Sequence, residues 1–135
     1  KVGSEFGATT GRPRRCGWID LVALNFACMI NGVTQIVMTK ADVLDGFEEL
    51  NVCESYRING KEQSMVPYQM MKTQIEPIYK SFKGWQSDIT KIKSVENIPV
   101  QMKEYIAHIN QFLGVPIKYI SNGPGRDQII QSPGV

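Results

Sequence analysis

The segment from Trp18 to Ile30 constrains the fold most, because apolar residues fill almost every position in it. An apolar run of this length is typical of a buried helix, and Asn31-Gly32 provides a stop after it. A chain of 135 residues with 42% hydrophobic and 21% charged residues can supply one packed core around such a helix. The sequence therefore predicts a folded globular protein rather than a disordered one.

Short strands and one further helix follow the apolar segment. Apolar side chains recur at helical spacing from Val100 to Leu113, and Gly114 marks the end of that helix. Asn59-Gly60 predicts a hairpin turn. A short helical turn is expected at residues 43–50, and strands are expected at residues 34–39, 51–58, 76–82 and 115–120. This order of strands, polar loops and helices predicts an α/β fold.

Charge and cysteine content exclude several classes of protein. The net charge is only +2, so no overall positive field would hold a nucleic-acid backbone at physiological salt. Cys16, Cys28 and Cys53 are odd in number and widely spaced, which indicates neither a zinc site nor a disulfide framework. No segment has the length of about 20 apolar residues that crosses a bilayer. We expect a cytoplasmic protein without a membrane or nucleic-acid partner.

A glycine- and arginine-rich loop precedes the apolar segment. In the run GATTGRPRR, from Gly7 to Arg15, glycines let backbone N–H groups approach a ligand, and guanidinium groups offer paired donors to phosphate or carboxylate. The helix that follows adds the positive end of its dipole. The loop therefore predicts a site for anions, with a solvated basic loop as the alternative.

Two short polar segments follow predicted strands. Thr39-Lys40-Ala41-Asp42 is similar to the NKxD element of GTP-binding proteins, in which a carboxylate accepts the N1 and 2-amino hydrogens of guanine. Ser121-Asn122-Gly123 could donate backbone N–H groups to guanine O6. The alternatives are a surface ion pair and an ordinary turn. Because ligands bind at the carboxyl ends of strands in open α/β sheets, we expect the two segments to converge on one purine.

The other conspicuous side chains are interpreted as structural. His108 lies on the flank of the second helix without a nucleophile or a second metal ligand nearby in the sequence. The larger aromatic residues do not interleave with a basic face, so they are expected in the core or in an interface; they are Trp18, Trp85, Tyr56 and Tyr79.

Taken together, the motifs resemble the adenylosuccinate synthetase family. The matching stretches are GATTGRPRRCGWID, TKADVLDG, CESYRINGK, the GW pair, LGVPI and SNGPGRD, in this order. The resemblance covers essentially all of residues 1–135 and implies the C-terminal portion of the enzyme, folded as the C-terminal part of a P-loop-NTPase-like mixed sheet with flanking helices. The opening at Lys1 rather than Met fits a chain that has been cut.

The resemblance also implies a function. Members of this family join IMP to L-aspartate with GTP and magnesium, and the complete enzyme is expected to be a cytoplasmic homodimer. Arg12 would contact IMP, and Arg14 would contact the GTP phosphates. Guanine would be held by Lys40, Ala41, Asp42, Ser121, Asn122 and Gly123. The aspartate loop would consist of Ala8, Thr9, Thr10, Gly11, Arg12, Pro13 and Arg14.

This sequence departs from the family pattern in ways that limit the expectation. The family usually has Leu at the position of Ala41, and Asn122 occupies a variable position. The family's N-terminal phosphate loop, with its catalytic aspartate and histidine, has no counterpart here. We therefore expect no catalytic residue and no metal ligand in this chain, and no catalysis by the chain alone. Magnesium is expected to be bound mainly by the absent N-terminal part. The alternative is a stand-alone guanine-nucleotide binding module; a nucleic-acid binder is disfavoured.

Overall fold

The computed structural model describes residue 3 and residues 5–132 of the chain, with Met71 described by its backbone alone. Ser4, which precedes the predicted glycine- and arginine-rich loop, lies outside the described residues. The strands and α-helices are β1 (Ile19–Asp20), α1 (Leu21–Asn31), β2 (Ile36–Met38), β3 (Glu49–Ile58), β4 (Lys61–Gln63), β5 (Glu76–Lys83), α2 (Val100–Leu113), β6 (Ile117–Ser121) and β7 (Ile129–Gln131). Short 3₁₀ helices cover Ala41–Leu44, Met70–Lys72 and Val95–Asn97.

The strands form two mixed sheets, which confirms the predicted α/β class. In the first sheet β3 pairs in parallel with β1 and antiparallel with β4 and β5. In the second sheet β6 pairs in parallel with β2 and antiparallel with β7. The predicted hairpin at Asn59-Gly60 is also confirmed, because both residues have positive φ (51° and 76°), as a two-residue turn between β3 and β4 requires.

One apolar core joins the two sheets through α2. The face of α2 that the helical spacing predicted is buried, and it packs with residues of both sheets, such as Leu50 of β3 and Ile120 of β6. Burial raises the pKa of Tyr105 on this face to about 12. The buried residues of α2 are Met102, Tyr105, Ile106, Ile109 and Leu113. This helix therefore fixes the second sheet against the first.

Helix α1 begins at Leu21, because the two residues before it belong to β1. Asp20 caps the helix: its Oδ1 accepts a hydrogen bond from the Ala23 N–H at 3.0 Å, and its Oδ2 accepts one from the Tyr56 hydroxyl at 2.5 Å. Burial and the Asp20 carboxylate both raise the pKa of Tyr56. The cap ties the start of α1 to β3.

The prediction that the whole apolar segment is buried is wrong for the second half of α1. Leu21, Val22 and Cys28 are buried, but the side chains of Met29 and Ile30 are 70% and 62% exposed. The helix is apolar on every side, whereas the described part of the chain covers only one side of it. Among the described residues, no helix is both long enough and apolar enough to cross a membrane.

Strand β7 is not among the strands that the sequence predicts. It pairs with β6, with Ile130 opposite Ile120. The chain between the two strands therefore returns as a closed loop, and this loop holds the second predicted guanine segment.

Candidate functional site

The two predicted guanine segments leave the second sheet at the same edge. Strands β2 and β6 are parallel neighbours, and Met38 lies opposite Ile120. Residues 39–42, here named the Lys40 turn, follow β2, and residues 121–128, here named the Asn122 loop, follow β6. The 3₁₀ helix that begins at Ala41 also contacts β6. The structure thus brings the two segments together, as the expectation from strand order required.

The Lys40 turn is sharply bent. Lys40 adopts left-handed backbone angles, with φ of 57° and ψ of 38°, and stands immediately before the 3₁₀ helix Ala41–Leu44. Ala41 is 1% exposed and packs in the core. Asp42 lines an open cavity of about 430 Å³, shared with Phe47 and Thr90. Ala41 therefore anchors the turn, whereas Asp42 borders open space.

Glu5 connects the Lys40 turn to the arginine loop, residues 5–15. Its Oε1 forms an ion pair with the Lys40 ammonium, which also donates to the carbonyl oxygen of Gly3 at 2.9 Å. Its Oε2 accepts from a guanidinium nitrogen of Arg14 at 3.3 Å. Lys40 and then Arg14 hold the pKa of Glu5 below its ordinary value. Sequence reasoning missed this residue, although it is the one acidic side chain among the first 15 residues.

The arginine loop folds back on itself as a narrow ribbon. The N–H of Gly7 donates to the Arg12 carbonyl oxygen at 2.8 Å. The N–H of Arg14 donates to the backbone carbonyl oxygen of Glu5 at 2.9 Å. Residues 8–17 are exposed. Within the part of the chain that the structure describes, the Arg12 guanidinium has no partner. The ribbon therefore presents Ala8, Thr9, Thr10, Gly11, Arg12 and Pro13 to solvent, with few ties to the rest of the protein.

Asn122 holds the Asn122 loop from the inside. The residue is fully buried, and its side-chain Nδ2 donates to the carbonyl oxygens of Ile89 at 2.5 Å and Ile92 at 2.9 Å. Its backbone N–H donates to the carbonyl oxygen of Gln128 at 3.1 Å. All these donors are used within the chain, so Asn122 shapes the loop. Ser121 adds a hydroxyl that donates to the Gly123 carbonyl oxygen at 3.2 Å.

Gln128 closes the same loop. Its Oε1 accepts from the Gly125 N–H at 2.7 Å, and its Nε2 donates to the Thr90 carbonyl oxygen at 3.1 Å. A Cβ added at Gly123 would overlap the end of the Gln128 side chain, so a larger residue at that position would displace Gln128 from these two hydrogen bonds. Sequence reasoning missed Gln128, because its partners are distant in the chain or belong to the backbone.

Asp45 connects the Lys40 turn to the segment after β5. Its N–H donates to the Asp42 carbonyl oxygen at 3.2 Å. Its Oδ1 accepts from Trp85 Nε1 at 2.7 Å, and its Oδ2 accepts from the Ile89 N–H at 3.0 Å. Burial raises the pKa of Asp45 although both hydrogen bonds act in the opposite direction. Trp85 belongs to the GW pair noted in the sequence, but its partner was not foreseen.

His108 lies apart from these segments, between α2 and the first sheet. Its Nε2 contacts the Glu54 carboxylate, and its ring centre is 4.9 Å from that of Phe82. These contacts agree with the structural interpretation. No group of three His, Cys, Asp or Glu side chains placed to hold a metal ion occurs within the described residues.

Known proteins match this geometry and sequence. The family model described as adenylosuccinate synthetase matches residues 1–130. The adenylosuccinate synthetase of Flavobacterium psychrophilum is 53% identical over 130 residues, which are 96% of this chain and 31% of the relative. The protein of that name from the yeast Lodderomyces elongisporus is 47% identical over 131 residues, with the same two coverages. This chain therefore spans about a third of the length of these relatives.

A solved structure matches as well. It is described as fully ligated adenylosuccinate synthetase from Plasmodium falciparum, and it superposes with a TM-score of 0.90 at 36% identity, covering 97% of this chain and 32% of that one. The sequence motifs, the convergent strand ends and the match to the family model over nearly the whole chain lead to one conclusion. The chain belongs to the adenylosuccinate synthetase family.

Proposed function

We propose that this chain forms the guanine-binding and aspartate-loop part of a GTP-dependent ligase. The complete enzyme joins IMP to L-aspartate to give adenylosuccinate, with GTP converted to GDP and phosphate, in purine nucleotide synthesis. The observation that carries the proposal is the parallel pairing of β2 with β6, which places the Lys40 turn beside the Asn122 loop.

Guanine recognition follows from the chemistry of these two segments. The Asp42 carboxylate can accept both the N1 and the 2-amino hydrogens of guanine, which adenine does not offer. The aliphatic part of Lys40 can lie along the face of the base. Backbone N–H groups of the Asn122 loop would donate to O6, where adenine carries an amino group. Opposed acceptor and donor sets of this kind select guanine over adenine.

The arginine loop would bind the anionic substrates. In this proposal Arg12 contacts IMP, Arg14 contacts the GTP phosphates, and residues 8–14 close over L-aspartate. Guanidinium groups bind phosphate and carboxylate through paired hydrogen bonds. Arg14 already binds a carboxylate in the structure, that of Glu5, and a phosphate would replace Glu5 as its partner.

Phosphoryl transfer is assigned to the remainder of the complete enzyme. The described residues hold no group of three side chains suited to a metal ion, so the proposal routes no step through magnesium bound by this chain. The role of this chain's own residues is to bind and orient ligands. A homodimeric, cytoplasmic, magnesium-dependent enzyme remains the expectation for the complete protein.

A chimeric enzyme tests the proposal. Residues 1–130 replace the aligned segment of the F. psychrophilum relative, and adenylosuccinate formation is followed by absorbance. The chimera should be active with GTP. Asp42→Asn should raise the KM for GTP about 10- to 100-fold, the range expected for charged hydrogen bonds.

The matched control is Glu76→Gln, which removes the charge of an exposed carboxylate that pairs with Arg57 in the first sheet. It should leave the KM for GTP within about twofold, as for most exposed substitutions. An inactive chimera beside an active parent, or an Asp42→Asn enzyme with unchanged KM, would refute the assignment.

A second function is a guanine-nucleotide binding module that acts without catalysis. It is supported by the Asn122 loop, whose shape depends on contacts within this chain alone. Calorimetry of the 135-residue chain with GDP, and with ADP as the control, separates the two. The module should bind GDP selectively, whereas the part of a larger enzyme should bind weakly or not at all. Absence of GDP binding at millimolar ligand would eliminate the module.

A further inference from the structure

Residues 85–92, here named the linking segment, join the Lys40 turn to the Asn122 loop through buried and partly buried hydrogen bonds. We propose that the linking segment, held by Asp45 at one end and Asn122 at the other, sets the spacing of the two guanine-binding segments and thereby determines purine selectivity. Asp45, Asn122 and Gln128 are positioning residues in this proposal. The inference rests on the proposed function and deepens it.

Asp45 makes the first connection. It directly follows the 3₁₀ helix Ala41–Leu44, and its N–H bonds to the carbonyl oxygen of Asp42, the residue assigned to the guanine N1 and 2-amino edge. Its two carboxylate oxygens accept from Trp85 Nε1 and from the Ile89 N–H, at 2.7 and 3.0 Å. A shift of the linking segment would therefore be transmitted to the backbone at Asp42.

Asn122 and Gln128 make the second connection. The Asn122 side chain donates to the carbonyl oxygens of Ile89 and Ile92, and Gln128 donates to that of Thr90. Three hydrogen bonds therefore attach the Asn122 loop to residues 89–92. Gln128 carries the attachment to the Gly125 N–H as well. The amides assigned to guanine O6 are thus placed by the linking segment.

Ile89 belongs to both connections. Its N–H donates to Asp45, its carbonyl oxygen accepts from Asn122, and its side chain is fully buried. One buried residue, bonded through both of its backbone polar groups, therefore lies between the two halves of the proposed purine site. Hydrogen-bond networks that are buried in this way fix geometry more strongly than exposed ones.

The Asn122 amide has a feature that a purely stabilising role does not explain. Its Oδ1 is buried without a hydrogen-bond partner, while both side-chain bonds are made by Nδ2. A buried acceptor without a partner costs free energy. An amide at this position is therefore a poor means of stabilising the core, but its two donors hold two carbonyl groups of the linking segment in a fixed relation.

The two ends of the linking segment should affect selection between different pairs of nucleotides. Loss of the Asn122 tie should loosen the amides that meet O6, so ATP should be rejected less strongly relative to GTP. Replacement of Asp45 by Asn would put a donor against the N–H of Trp85 or Ile89, which should displace Asp42. Since ITP lacks only the 2-amino group of GTP, that variant should lose discrimination between GTP and ITP.

The experiment uses the chimeric enzyme with GTP, ITP and ATP as alternative substrates. For Asn122→Ala, the ratio of kcat/KM for GTP to that for ATP should fall about tenfold or more, whereas the KM for IMP, which is assigned to the arginine loop, should stay within about twofold. For Asp45→Asn, the GTP to ITP ratio should fall by a similar factor of about ten. A merely structural defect would not separate the two ratios.

Asn110→Ala is the matched control. Asn110 holds the other end of β6, where its Oδ1 accepts from the Ile117 N–H at 2.8 Å. This variant should keep both ratios. Equal changes of the ratios in Asn110→Ala and Asn122→Ala, or a uniform loss of kcat with every nucleotide, would overturn the inference.

A folding defect has its own control. If Asn122→Ala lacks the circular dichroism of the parent chimera, Gln128→Ala, a partly exposed position on the same loop, replaces it. An unchanged GTP to ATP ratio in a folded Gln128→Ala enzyme would also overturn the inference. Failure of the unsubstituted chimera to use GTP would refute the proposed function itself, whereas an active chimera with unaltered ratios would refute the linking segment alone.

Discussion

The arginine loop and the Asn122 loop are both assigned to nucleotide binding, yet they are held in opposite ways. The arginine loop is exposed from residue 8 onward, and its connection to the Lys40 turn runs through the Glu5 carboxylate. The Asn122 loop is tied to residues 89–92 by a fully buried amide and by Gln128. The first depends on surface charges and the second on the core.

The difference matches what each loop is proposed to bind. A purine base is rigid and is distinguished by the positions of a few atoms, so a preformed site is advantageous. Phosphates and an amino acid arrive separately, and a loop that must close over them requires freedom to move. Regions of low local stability are typical of such closing loops.

The largest expected effect concerns Gly84, which positions Trp85 for Asp45. A Cβ at Gly84 would overlap the Phe47 carbonyl oxygen. The Gly84 N–H donates to the carbonyl oxygen of Glu48. Gly84→Ala should lower the free energy of unfolding by about 3 kcal/mol or more, because backbone must move. Gly17 follows the arginine loop, and a Cβ added there has no neighbour within 4 Å. Gly17→Ala should therefore change the free energy of unfolding by less than about 0.5 kcal/mol. Urea unfolding of both variants gives the values; similar values would contradict the comparison.

Asn122→Ala should have the next largest effect on stability. It leaves the carbonyl oxygens of Ile89 and Ile92 without their donor, and we expect a loss of about 2 kcal/mol. In the arginine loop, Thr10→Ala removes only an exposed acceptor 3.4 Å from the Arg12 N–H and should cost less than about 0.5 kcal/mol. Thermal unfolding measures both. Equal losses would mean that the two loops are held alike.

Limited proteolysis compares the loops directly. Arg14, Arg15 and Arg126 are all exposed, but Arg126 belongs to the Asn122 loop. An arginine-specific protease should cut after Arg14 or Arg15 about tenfold faster than after Arg126, since cleavage requires local opening. Mass spectrometry of timed samples identifies the first product. Initial cleavage after Arg126 would reverse the assigned order of flexibility.

The smallest expected effect depends on pH. The pKa of Glu5 is lowered from its ordinary value of 4.5, so its contribution is complete above that pH and is lost as the pH falls through the lowered pKa. Amide relaxation measured by NMR between pH 6 and about pH 3 should therefore show greater motion of residues 7–12 at low pH. Glu5→Gln should be mobile throughout. A loop insensitive to both changes would show that Glu5 does not hold it.

Local signals predicted much of the fold. The helical spacing from Val100 to Leu113 gave the observed bounds of α2, and Asn59-Gly60 gave the hairpin. Both are set by neighbours in the sequence. Strand β7 escaped prediction because three residues carry little pattern and its partner β6 is separated from it by a loop. The exposure of the second half of α1 also escaped, since a uniformly apolar helix does not show which side is covered.

The candidate site divides in the same way. The sequence singled out residues with specific polar chemistry, such as Asp42 and the arginines, and the order of strands predicted that the Lys40 turn and the Asn122 loop follow neighbouring strands, as the structure shows for β2 and β6. It missed Glu5, Asp45 and Gln128, whose roles depend on partners elsewhere in the chain or on backbone atoms. It also offered the Asn122 N–H to a ligand, whereas in the structure that group donates to Gln128.

The left-handed backbone of Lys40 creates a conflict at one position. A residue with a side chain costs roughly 1–2 kcal/mol in this conformation, and glycine would avoid most of that strain. Glycine could neither neutralise Glu5 nor cover the face of a base. The bend before Asp42 and the amine that reaches Glu5 thus belong to the same residue, so a glycine that relaxed the main chain here would lose the connection to the arginine loop.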